Sequence, residues 1–115
     1  MKKFKTVVLL FLILIITFAA FLPCLRNGFV NWDDNEYVTE NTVIQHLYWK
    51  NLKQIFSSFY VGNYQPLSTL SYLLDYHFFK LNPSGYHTTN LVLHLLNCIL
   101  VFWLFFFVLG LESLK

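Results

Sequence analysis

Val7-Val8-Leu9-Leu10-Phe11-Leu12-Ile13-Leu14-Ile15-Ile16-Thr17-Phe18-Ala19-Ala20-Phe21-Leu22-Pro23-Cys24-Leu25 carries no charge at any position. A helix that crosses a bilayer needs about 20 predominantly apolar residues. Lys2, Lys3 and Lys5 stand before the run, and the excess of basic residues on cytoplasmic flanks places that end inside. A secretory signal peptide shares the basic start and the apolar run. This run is long for such a peptide, and no small-x-small cleavage site follows it. Phe21-Leu22-Pro23-Cys24 also lacks the small residue expected before a lipoprotein cysteine. The sequence therefore predicts an uncleaved first span.

A second charge-free run extends from Leu91 to Leu111. It carries His94 and Asn97, and His87 and Asn90 lie just upstream. Steps of 3, 4 and 3 put these four side chains on one helical face. Polar groups inside a span usually face a bundle interior or a water-filled cavity, so the stripe asks for helices beyond the two predicted here. Val101 and Phe105 continue the same face with apolar side chains. Two spans return Lys115 to the cytoplasm, and no closing element follows Gly110. The expectation is an all-α integral membrane chain: a first span over 7–25, an extracytoplasmic loop over 26–89 and a second span over 90–111.

Composition agrees. Charged residues are 12% of the 115, against roughly 25% in an ordinary soluble domain. Phe 13, Tyr 7 and Trp 3 give an aromatic content of the kind that favours bilayer interfaces. The net charge of +2, with its cations dispersed after Lys5, argues against nucleic acid as a partner. Cys24 ends the first run and Cys98 lies several residues inside the second, about 10 Å deep at ~1.5 Å per residue, beyond the ~7 Å reach of a disulfide, so two free thiols are expected.

Between the runs, Asn27-Gly28 signals a turn. Phe29 to Tyr37 reads as extended or irregular. Asn51 can cap a short helix running to Tyr60, with Gln54 at its third position. Leu52, Ile55, Phe56 and Phe59 then share one face. Val61-Gly62-Asn63-Tyr64 breaks that helix. Pro66 suits the first position of another, reaching to Phe79. Leu67, Leu70, Leu74 and Phe78 form its apolar face, and Ser68, Ser71 and Asp75 a separate polar one, with Asp75 solvating the loop or capping a neighbour. An amphipathic helix beside a span is expected to lie in the interface plane. Leu81-Asn82-Pro83-Ser84-Gly85 ends it. Trp32, Tyr48, Trp49, Tyr60 and Tyr64 read as interfacial anchors.

The loop's chemistry is concentrated in Val30-Asn31-Trp32-Asp33-Asp34-Asn35-Glu36-Tyr37, which holds three of the six carboxylates of the chain. In an extended segment Asp33 and Asp34 point to opposite faces, so they share one site only if the chain turns there. A carboxylate near a hydroxyl can serve as general base, and adjacent acids can hold a divalent cation through oxygen. A polar loop that is simply acidic is the plain alternative. His87 and His94 are two turns apart, too far for the i, i+4 pair of a helical zinc site, and buried hydrogen bonds to neighbouring helices are their expected use.

Four segments together resemble a known family: Phe29-Val30-Asn31-Trp32-Asp33-Asp34, Asn63-Tyr64-Gln65-Pro66-Leu67-Ser68-Thr69-Leu70, Leu81-Asn82-Pro83-Ser84-Gly85-Tyr86-His87 and Asn90-Leu91-Val92-Leu93-His94. Their order and spacing is similar to the N-terminal part of the membrane O-mannosyltransferases that carry tetratricopeptide repeats and of their bacterial relatives, within the GT-C class that also holds the protein O-mannosyltransferases. The resemblance runs from about Phe29 to Phe102. It implies a polytopic enzyme of about eleven or more spans, in a bacterial inner membrane, with an outward-facing site and short helices along the membrane in its first outer loop. Such enzymes pass a sugar, mannose among them, from a polyprenyl-phosphate donor to a protein Ser or Thr or a glycan hydroxyl, with inversion. By matching position, Asp33 is the catalytic carboxylate and Asp34 its partner, while Glu36, Gln65 and His87 are substrate-binding candidates. Gln65 departs from the pattern: animal relatives tend to have Arg there and some others His, so the phosphate-pairing cation is missing at this position. On this reading the chain is an N-terminal fragment, inactive without the remaining helices of its parent enzyme. The competing reading is a small two-span membrane protein, not an enzyme, that binds a partner through its loop.

Overall fold

The computed structural model describes residues 2–109. Among these the chain is helical, without a β-strand. Helix α1 runs Lys2–Phe21 and passes into a 3₁₀ turn, Leu22–Arg26. A five-residue π-helical turn covers Asn35–Thr39. Helix α2 is Trp49–Ser57, α3 is Pro66–Phe79 and α4 is Pro83–Val108. The expectations for Gly110 to Lys115 lie outside the described residues.

The chain divides into two compact units. One combines α1 with α4 from Thr88 onward. Its helices run antiparallel: the Phe21 and His94 rings meet edge-on at 4.9 Å, while Lys5, Thr6, Leu9 and Ile13 share a groove with Cys98, Val101, Phe102, Phe105 and Phe106. Both helices are long and apolar enough to cross a membrane. A core helix of a soluble protein passes the same length test but is mostly buried; here none of the most apolar stretch of α1 is buried, and only 6% of that of α4. They are candidate spans, as the two charge-free runs predict. The cysteines are free thiols.

The second unit is Arg26–His87, which makes the loop a folded body. Its core is Val38, Ile44, Ile55, Leu73 and Tyr86, with Phe29, Tyr37, Val43, Leu52, Leu70, Tyr72 and Tyr76 packed around it. α3 is the centre of the packing, with α2 and the π-turn both resting on it. Pro66 takes the first helical position as its sequence context predicts; its missing N–H costs nothing there.

Several local expectations are corrected. α2 begins at Trp49 and ends at Ser57, earlier than the predicted Asn51–Tyr60. Asn51 does not cap it: its Nδ2 donates to the Val43 carbonyl at 2.7 Å, tying the preceding loop to the helix. The expected face of α2 splits, with Leu52 and Ile55 turned to the core and Phe56 and Phe59 exposed. In α3 the inward residues are Thr69, Leu73 and Asp75, while Leu67, Leu74 and Phe78 are exposed. The expected apolar face of α3 is thus split, with Leu70 packed on the core and Leu67, Leu74 and Phe78 outside it. The break before α4 is also short. Lys80 at φ 56 turns the chain, the Tyr86 hydroxyl donates to its carbonyl at 2.8 Å, and its Nζ lies 5.3 Å from the Tyr76 ring centre. Pro83-Ser84-Gly85 then forms the first turn of α4, where Asn82 Oδ1 accepts from the Ser84 N–H at 3.2 Å.

Candidate functional site

The acidic segment is a turn rather than an extended strand. The backbone is irregular over 27–30, turns at Asn31, Trp32 and Asp33, and enters the π-turn through Asp34. Side chains fix this path. Asp34 Oδ2 accepts from the Val30 N–H at 2.8 Å. Asn35 Nδ2 donates to Asn31 Oδ1 at 2.6 Å, and the Tyr37 N–H donates to the Asp33 carbonyl at 3.0 Å. π-helical turns are rare and occur often at functional sites.

The turn gives the two carboxylates different surroundings. Asp33 is exposed, whereas Asp34 is half-buried and engaged with Val30. The chain does turn at the pair, over Asn31 to Asp33. Asp34 also faces α3. The Tyr72 phenol is held above its ordinary value, first by burial and then by the negative charges of Asp34, Tyr37 and Asp75. Asp34 and Asp75 therefore act on a common phenol. Asp75 is 5% exposed, which corrects the expectation that it solvates the loop. Tyr37 joins the same wall: its hydroxyl accepts from Asn63 Nδ2 at 3.2 Å, and its carbonyl from Asn41 Nδ2 at 3.1 Å.

The other predicted site residues are placed less centrally. Glu36 is exposed. Gln65 precedes α3, and its carbonyl accepts both the N–H and the hydroxyl of Thr69, each at 3.1 Å. His87 has a buried Nε2 with no hydrogen-bond partner among the described residues. No hydrogen bond links Glu36, Gln65 or His87 to Asp33 among those residues. Asp34 and Asp75 thus converge on Tyr72 of α3, while Asp33 stands exposed on the adjoining turn. Tyr72 escaped the sequence reading. Its position three residues before Asp75 on a helix was the available signal.

A divalent cation at the acidic pair would need oxygen ligands beyond these two carboxylates. Hard cations gather six or more oxygens, and Asp34 already serves Val30. Among the described residues no three His, Cys, Asp or Glu side chains are grouped to hold a metal.

No family model, curated protein or solved structure matches this chain. What the site can do follows from its own residues. An exposed carboxylate held on a rigid turn can accept a proton from a hydroxyl, and its half-buried neighbour can hold the turn while adding negative charge. Exposed Trp32, at 83%, flanks the pair with an aromatic face suited to a sugar ring.

Proposed function

We propose that this chain belongs to a membrane glycosyltransferase of the GT-C type, with the Asp33 turn as the acceptor side of its site. α1 and α4 are its spans, and the Arg26–His87 unit lies on the extracytoplasmic face. The observation that carries the reading is the division of labour at the acidic pair. Asp34 is spent on the Val30 N–H and on α3, and Asp33 is left exposed on a braced turn. That is what a general base needs: a fixed backbone and an open carboxylate.

In this mechanism an acceptor hydroxyl oxygen attacks the anomeric carbon of a polyprenyl-phosphate sugar. The new C–O bond forms as the anomeric carbon–phosphate oxygen bond breaks, with inversion. Asp33 takes the hydroxyl proton, and the leaving phosphate carries away the electron pair. Positive groups or helix N-termini must meet that phosphate. Gln65 can only hydrogen-bond it, so the charge comes from elsewhere. The exposed stripe Asn90, His94 and Asn97 on α4 supports further helices, of the same polypeptide or another, packing against that span.

The test is transfer itself. Membranes from cells expressing the gene in its native frame are given a polyprenyl-phosphate mannose labelled in the sugar. Label moving to protein or glycan, above membranes lacking the gene, supports the reading. Label remaining on lipid with mannose and with the other common hexoses refutes it.

A further inference from the structure

Within the Arg26–His87 unit, one surface is built for something other than transfer. Tyr60 and Asn63 exchange backbone hydrogen bonds at 2.8 and 2.7 Å around a two-residue turn. Its central residues are Val61 at φ 48 and Gly62 at φ 75. A turn with both central residues at positive φ favours Asn-Gly. A β-branched residue at positive φ is a true outlier, and such strain points to function. Here the strained residue is half-exposed and apolar, at the tip, between exposed Phe59 and Tyr64. The Tyr64 hydroxyl donates to the Phe56 carbonyl at 3.0 Å, fastening the turn to the end of α2. On α2, Trp49, Lys53 and Phe56 share one outward face by spacing and are all exposed, as is Lys50. After Lys53 no charged residue occurs until Asp75.

We propose that this surface is a bilayer anchor selective for anionic phospholipid. Val61, Phe59 and Tyr64 wedge below the headgroups, and Lys50 and Lys53 meet the lipid phosphates. The lysines supply the charge complementarity. The uncharged, exposed, aromatic-flanked tip is the part that a water-facing turn would not keep, because Asn at position 61 fits the backbone better. The anchor rests on the membrane reading of α1 and α4, and holds the loop at the depth of lipid headgroups.

Cys24 and Cys98 are replaced by Ser, and a nitroxide is placed at Val61→Cys in the whole chain reconstituted into vesicles. Collision with dissolved oxygen is compared with collision with a water-soluble nickel chelate, in phosphatidylcholine alone and with phosphatidylglycerol added. The label at 61 is expected to favour oxygen, more so with anionic lipid. Lys50→Gln with Lys53→Gln should remove that lipid dependence, about fivefold in partition for each lysine. Val61→Asn fits the turn at least as well as Val, so it separates folding from insertion. With the reporter moved to Phe59→Cys, it should reduce immersion without lowering thermal stability. A second reporter at Leu100→Cys on α4 tests the span separately. A lipid-facing label at 100 with a water-facing label at 61 in both lipids overturns the anchor alone, and a water-facing label at 100 overturns the membrane reading beneath it. Equal immersion with and without phosphatidylglycerol, unmoved by the lysine changes, overturns the lipid selectivity.

Discussion

Asp34 and Tyr72 are the residues whose roles are set by their surroundings. The Asp34 carboxylate meets an orphan backbone N–H at Val30, so Asp34→Ala should loosen the turn. A cost of about 1 kcal/mol is expected from one partly solvated hydrogen bond, read as a lower melting temperature of the reconstituted protein. Tyr72 predicts a pH dependence. Its phenol is raised from 10.0 by burial and nearby negative charge, so the unfolded chain loses that proton first. The stabilising difference is fully present below pH 10 and is lost as pH climbs through the folded value. Tyr72→Phe should flatten the alkaline fall in stability, which a thermal melt from pH 8 to pH 11.5 will follow. The prominence of Asp33 and Asp34 was legible in the sequence because acid is scarce in this chain. Their unequal roles were not, since the turn at Asn31 to Asp33 depends on side-chain hydrogen bonds that carry no periodic signal. Asp75 is buried rather than solvating the loop for a related reason. Helical spacing groups it with Ser68 and Ser71, and only tertiary packing decides that Asp75 is buried while Ser68 stays exposed.

At the scale of elements, the junction of α3 and α4 is closely packed. Gly85 sits in the first turn of α4, and a Cβ there would run into the side chain of Phe79. In an open helix, Ala in place of Gly stabilises by about 1 kcal/mol. Here Gly85→Ala should instead destabilise, by about 1–3 kcal/mol for overpacking. Adding Phe79→Ala should recover part of that loss, and a double-mutant cycle on thermal stability measures the coupling. The existence of α1, α3 and α4 was legible from apolar runs and from Pro66. Their ends were not. α4 starts at Pro83, ahead of the apolar run, because Asn82 and Pro83 can open a helix as readily as they close one. α2 begins before Asn51 because that side chain is engaged by Val43, a contact eight residues away in sequence.

The whole molecule comprises two apolar helices and a folded unit over Arg26–His87, and the proposed chemistry rests on that unit. A carboxylate acting as general base contributes roughly 10²–10⁴-fold in rate. Asp33 is exposed and its side chain holds no hydrogen bond among the described residues, so replacing it should leave the fold intact. The decisive measurement is therefore the transfer rate of Asp33→Asn from a polyprenyl-phosphate sugar, taken beside its melting temperature, in membranes expressing the native frame. The account predicts a loss of roughly 10²–10⁴-fold at unchanged stability. Transfer at the wild-type rate by a stably folded Asp33→Asn protein would contradict it.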